Sequence, residues 1–335
     1  MGSKRKIQGE IAISYLENFP ETPSTTLGKK MYLENKSVFD SENRARDIIR
    51  YYRGTNGKHN RDSLKDRRFI RDIQTPYNPY FIPESDEQEF ESFEIYPQYK
   101  KILVFGDVHI PYHNVDSINR MIEYALAQKV DSILINGDFI DFHQLSQFVK
   151  DPRKRHFAEE IQLTETFLNV LIKTFKVKIF YKLGNHEERF ETYMRLKAPE
   201  LIGIQEFELA NILQLGSKNI DVIKDKRIVR FGKLNILHGH EMKGSIIPPV
   251  NAARGVFLKT MENTLVNHFH TDTKHSENSL NGHHVSCWSI GCLCELHPEY
   301  AVINKWRHGF AIVEKVNDDG NFLVTSKQII KGRVL

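Results

Sequence analysis

Lys101-Ile102-Leu103-Val104-Phe105-Gly106-Asp107-Val108-His109 is the stretch that decides how this chain is read. Ile102 to Phe105 form an apolar run of the kind a buried strand needs. Asp107 and His109 then fall just past the strand's C-terminal end, where open α/β sheets place their sites. In an extended segment, residues i and i+2 point the same way. One carboxylate and one imidazole could therefore grip one metal ion. Asp-x-His alone is a weak signal, and its weight comes from similar clusters farther along the chain.

The arrangement recurs. A strand at 132–136 leads into Gly137-Asp138-Phe139-Ile140-Asp141, and one at 177–182 into Gly184-Asn185-His186-Glu187. A later strand precedes His238-Gly239-His240, and Asn267-His268-Phe269-His270 comes further on. Helical spacing over 115–128 and 156–175 separates the first three strands. This β-α-β-α-β order predicts a layered α/β domain. Beyond 219 the chain turns strand-rich, over 219–224, 227–231, 233–237, 283–290 and 308–327. Asp318-Asp319-Gly320-Asn321 marks a hairpin turn.

Parallel strands bring such ends to a common rim. The donors Asp107, His109, Asp138, Asn185, His238, His268 and His270 are too many for one ion. They suit two ions sharing a carboxylate. Mixed imidazole and carboxylate donors favour Mn, Fe, Zn or Ni over Ca or Mg.

With these motifs in order, the sequence resembles the calcineurin-like metallophosphoesterases from about 100 to 312. The carrying residues are Gly106-Asp107-Val108-His109, Gly137 to Asp141, Gly184 to Glu187, His238, and Asn267 to His270. Asp107 to His113, Gly291 to Tyr300 and Trp306 to Ala311 look like phage- or prophage-encoded members. The resemblance implies a four-layer α/β/β/α sandwich. It implies that Asp107, His109 and His270 hold one ion, that Asn185, His238 and His268 hold the other, and that Asp138 bridges them. His186 would face the substrate as a general acid or a stabiliser of the leaving oxygen, while a metal-bridging hydroxide attacks phosphorus. Two departures stand out. Asn267 replaces the usual Gly before His268. Phe142 and Leu183 stand where the protein-phosphatase branch carries arginines, which argues against a dedicated protein phosphatase.

Other polar residues lie close by in sequence. Asp141 is expected to orient a ligand. His113, His143, Arg189 and His240 are candidates for substrate contact. Cys292 and Cys294 read as core rather than as a further metal site.

Residues 1–60 read as three short helices, near 8–18, from Thr22-Pro23-Ser24, and from Asp40 or Ser41 to a stop at Gly54. Arg46, Arg50 and Arg53 fall on one face of the third. The pattern suggests a small helical, helix-turn-helix-like module with a nucleic-acid-binding face. Residues 61–98 read as a linker, with prolines at 76, 79 and 83 and acidic residues from 84 to 94. The catalytic domain is expected over 99–335.

Composition adds limits. Lys and Arg total 47 against 43 Asp and Glu, a net charge of +4. That is too small to establish a polyanionic partner. No apolar run reaches membrane-spanning length, and the first residues lack an apolar signal region. Three cysteines make no disulfide framework, so a reducing, cytoplasmic setting is expected. Together these features predict a dinuclear hydrolase acting on nucleic acid. The alternatives are a phosphomonoesterase or a small-molecule or protein phosphatase whose helical module binds a partner, and a DNA-binding protein with a vestigial centre.

Overall fold

The computed structural model describes residues 2–20, 22–70, 90–146, 156–242, 250–278, 280–298 and 301–335. The proline-rich stretch 75–83 and acidic residues 84–89 lie outside them. The chain divides into two compact units, Met1–Glu94 and Ile95–Leu335.

The first unit contains α1 (Gly2–Asn18), α2 (Ser24–Glu34), α3 (Glu42–Tyr52) and α4 (Lys58–Ser63). Ala12, Leu16, Leu27, Met31, Phe39, Ala45, Ile48 and Ile49 form its core. The Ser41 Oγ caps α3 by accepting from the Arg44 N–H at 3.1 Å. Gly54, at φ +66°, ends it in the left-handed conformation a C-cap favours. A Cβ on Gly28 would lie 2.6 Å from Arg46 Cα, so glycine lets α2 and α3 approach.

Two expectations for this region are corrected. Arg53 does not share an exposed face with Arg50, because it is 1% exposed. Its guanidinium donates to Ser24 Oγ (2.9 Å), Pro20 O (3.0 Å) and Thr22 O (2.6 Å), holding the chain ahead of α2. The linker is also shorter than expected. Leu64 is buried and Phe69 packs on the helical core, while Ile95 and Tyr96 are buried within the second unit.

The second unit contains two sheets. The larger is built from β1 (Lys101–Phe105), β2 (Ser132–Asn136), β3 (Lys178–Lys182), β4 (Ile220–Ile223), β10 (His308–Lys315), β11 (Phe322–Ile330) and β12 (Arg333–Val334). Its order is β12-β11-β10-β1-β2-β3-β4. Strands β1 to β4 run parallel, with Phe105 opposite Ile135 and Ile135 opposite Tyr181. Leu103, Phe105, Ile133 and Ile135 pack against residues of α5 (Val115–Ala127) and α6 (Phe157–Phe175). The alternate residues Ile102, Val104 and Leu134 are buried too, so both faces are covered.

The second sheet contains β5 (Val229–Phe231), β6 (Leu234–Leu237), β7 (Thr264–Val266), β8 (Thr273–Asn278) and β9 (His284–Ser289). Within this unit the order is β5-β6-β7-β9-β8. Strands β6, β7 and β9 are parallel. Helix α8 (Ala252–Thr260) covers it through Ala253 and Val256. Two sheets with helices against them match the expected sandwich. Strand β7 went unread in the sequence because it has only three residues, and β8 because it is largely exposed and polar. Among the described residues no helix is long and apolar enough to cross a membrane.

Candidate metal centre

The in-register strands set Asp107, Asp138 and Asn185 beyond the ends of β1, β2 and β3. His238 follows β6, and His268 and His270 follow β7. The two rims are tied by Asn136, whose Nδ2 donates to Leu237 O at 2.7 Å and to Asn267 Oδ1 at 2.8 Å. Asn267, where a glycine was expected, thus serves as a buried acceptor.

The turns are tightly constrained. The Val108 and His109 N–H groups both donate to Asp138 O, at 2.9 and 3.0 Å, which locks the first two loops together. Asp107, His109, Asp138, His268 and His270 all have φ between +50° and +65°. The expectation that Asp107 and His109 align because their segment is extended is therefore wrong. They converge through left-handed turns, a conformation that non-glycine residues hold only when their surroundings enforce it. Gly184 is required here, since a Cβ would lie 2.3 Å from Asp138 Oδ1.

Around these turns the side chains converge. Asp107 Oδ1 lies 3.3 Å from His270 Nε2 and 4.0 Å from both His109 Nε2 and His238 Nε2. His109 Nε2 is 3.2 Å from His270 Nε2. On the other side, His238 Nε2 lies 3.2 Å from Asn185 Oδ1 and 3.2 Å from Asp138 Oδ2. The His238 and His268 rings are 5.1 Å apart. Asp138 is common to a donor group with His109 and His186 and another with His238 and His268.

This arrangement fits divalent cations. Asp107 Oδ1 is buried with no hydrogen-bond donor, while its Oδ2 accepts from the His268 N–H at 2.8 Å. A buried carboxylate oxygen without a donor, ringed by imidazole nitrogens, calls for a positive charge. The imidazoles are oriented for it. His238 Nδ1 donates to Asn136 O at 2.7 Å, and Asp141 Oδ1 lies 3.3 Å from His109 Nδ1. Both leave Nε2 facing inward. Burial would raise the Asp138 carboxyl, but the imidazoles of His186 and His238 hold it well below the usual range. Burial and the charge of His238 push His268 down to about 4.

His186 opens α7 (Asn185–Lys197) beside this cluster. Its Nδ1 lies 2.8 Å from Asp141 O and 3.3 Å from Asp141 Oδ1, and its Nε2 lies 3.7 Å from Asp138 Oδ2. Burial opposes its protonation, yet the carboxylates of Asp138 and Asp141 outweigh it and raise its pKa. Of the other candidates, Arg189 reaches His186, and His240 Nε2 lies 3.1 Å from Glu188 Oε1. His113 instead packs on Phe167, with ring centroids 6.0 Å apart, and half-buried His143 opens a 3-10 turn. Cys292 and Cys294 are buried as core residues; Cys294 Sγ is 3.9 Å from His270 Nδ1.

Several supporting residues have roles that the sequence did not suggest. Buried Glu187 accepts from the N–H groups of Asp138 (3.0 Å), Phe139 (2.7 Å), Ile140 (3.2 Å) and Gly184 (2.8 Å), and from Tyr181 Oη (2.7 Å). A glutamate at the third position of a helix is a capping signal, and that was readable. Glu241 accepts from the His238 and Gly239 N–H groups and pairs with buried Lys182 at 2.9 Å. Nothing local in sequence announces that pair.

A fold of two sheets with such a donor cluster at the shared rim defines a metallophosphoesterase. The chain belongs to the calcineurin-like phosphoesterase family, whose model matches residues 100–288, and so is a metal-dependent phosphoester hydrolase with a dinuclear divalent site. It is 24% identical over 230 residues to the Gene 54 protein of Mycobacterium phage L5, covering 64% of this chain and 88% of that one. Similar solved structures include the phosphoesterase Yfce from E. coli, with a TM-score of 0.33, 13% identity, and coverage of 68% of this chain and 97% of that one. A dimetal phosphatase from Danio rerio gives a TM-score of 0.32 and 13% identity over 64% and 92% of the two chains. Vacuolar Protein Sorting 29 from Cryptosporidium parvum gives 0.38 and 14% over 71% and 95%.

Proposed function

We propose that this hydrolase cleaves phosphodiesters of nucleic acid. The observation that carries the substrate class is the surface of the helical unit. Arg5, Lys6, Arg44, Arg50, Lys65 and Arg67 are exposed on it, and exposed Tyr51 follows Arg50 on α3. Cations track a phosphate backbone, and an aromatic face can stack on a base. With Arg53 buried, the contact falls to Arg50, half-buried Arg46 and these neighbours.

In this reading Asp107, His109 and His270 would hold one ion and Asn185, His238 and His268 the other, with Asp138 available to both. The donor set suits Mn, with Fe, Zn or Ni as alternatives. Ions held there would supply a water of lowered pKa and positive charge for the phosphoryl oxygens. The chain's own residues do the rest. Asp138 and Asp141 hold His186 beside the reacting phosphorus. As hydroxide adds to phosphorus and the P–O bond to the leaving oxygen breaks, that oxygen takes the proton from the His186 imidazole.

The test is hydrolysis of end-labelled single- and double-stranded DNA by Mn-loaded protein, with Asp138→Asn as control. Cleavage that disappears in the variant supports the reading. Turnover of an aryl phosphate without DNA cleavage would replace it with a phosphomonoesterase.

A further inference from the structure

His186 and Arg189 are three residues apart on α7 and share a face of its first turn. Arg189 Nη1 donates to Asp141 O at 2.8 Å, and Nη2 lies 3.0 Å from His186 Nε2. A guanidinium can only donate, so before substrate binds Nε2 accepts from it and the ring proton sits on Nδ1 against Asp141 O; once Nη2 has turned away, Nε2 takes up the proton that it gives to the leaving oxygen. The anchor at Asp141 is rigid, because the Asp141 N–H donates to Ile110 O at 3.0 Å and its carboxylate lies beside His109. Two of the five guanidinium N–H groups are thus used, and the side chain is half-buried at the edge of the cluster.

Phosphoryl transfer spreads charge over the non-bridging oxygens. Nearby ammonium groups are committed elsewhere: Lys182 to Glu241 and Arg227 O, and Lys226 to Glu188. Among the described residues, no such carboxylate pairs with the guanidinium against His186. We infer that Arg189 binds the substrate. With Nη1 held on Asp141 O, Nη2 leaves His186 and donates to a non-bridging phosphoryl oxygen, and the imidazole Nε2 marks where an acceptor stands before substrate arrives. The side chain thereby links the group that meets the leaving oxygen to the group that orients the phosphoryl.

This inference rests on phosphoester hydrolysis and not on the nucleic-acid reading. The test is binding of inorganic phosphate to the Mn-loaded full chain by calorimetry. It compares wild type, Arg189→Met, which keeps the apolar stem, and Arg189→Lys, with metal content determined for each. Loss of a charge-assisted hydrogen bond should weaken phosphate by about 10- to 100-fold in Arg189→Met. Arg189→Lys should recover part of the loss, and both should keep the wild-type metal content. Phosphate affinity within about twofold of wild type, even with slower turnover, overturns the inference and leaves Arg189 only holding His186. Loss of metal from both variants overturns it as well. Wild-type protein that binds phosphate and hydrolyses an aryl phosphate but leaves DNA intact refutes the substrate proposal above and not this one.

Discussion

Glu187 Oε2 accepts a hydrogen bond from the Asp138 N–H at 3.0 Å. The glutamate that follows His186 therefore fixes the loop carrying the shared carboxylate. Glu187→Gln sets an amide donor among five donors and should cost about 2–4 kcal/mol. Thermal melts should show that loss together with reduced metal content. Glu191→Gln, on the exposed part of α7, should stay within about 0.5 kcal/mol of wild type.

Metal loading should release protons. Burial disfavours the imidazolium of His238 and His270, but Asp138 and Asp107 outweigh it and raise both to about 10 in the metal-free chain. Both rings are then protonated at pH 8, and coordination requires them neutral. Affinity should rise as pH climbs toward 10, with about two protons released per loaded site at pH 8. Calorimetry in two buffers of different ionisation enthalpy counts them. A heat independent of buffer would refute the prediction.

The Lys182–Glu241 pair should govern acid stability. Burial would raise the Glu241 carboxyl, but Lys182 and His240 bring it down to about 2. A carboxylate with a depressed folded pKa stabilises above its unfolded value, and the contribution fades as pH falls toward the folded one. About 3 kcal/mol should disappear between pH 4.5 and 2. Glu241→Gln should be less stable at pH 7 and should flatten the dependence in that window, as read by urea unfolding across pH.

Arg53 and Arg50 should separate stability from binding. Arg53→Ala removes three buried hydrogen bonds and should destabilise the helical unit by about 2–4 kcal/mol. Arg50→Ala should leave stability unchanged and lower the salt slope of DNA binding by about one. Equal melting temperatures for the two variants would contradict the buried role of Arg53.

The sequence announced the strand ends because glycine, carboxylate and imidazole at those places serve one local purpose. Asp107, Asp138 and His238 could be placed from the apolar runs before them. Arg53 could not, because helical periodicity put it near Arg46 and Arg50 while its acceptors lie about thirty residues earlier. Glu241 and Lys182 were silent for the same reason: their meaning lies in a contact across 59 residues. The left-handed turns at Asp107 and His109 were hidden too, since neither residue type signals positive φ as glycine does.

The Asn136 amide, bonded to Leu237 O and Asn267, places the junction of the two sheets directly beneath the reacting groups. Inheritance at that junction is therefore coupled. A change that shifts one sheet by part of a residue displaces half of the cluster from the other half, so drift must come there in matched pairs. Segments at the opposite ends of the strands carry no such obligation. Lineages of this chain should diverge first in those distant connections while the junction stays as it is.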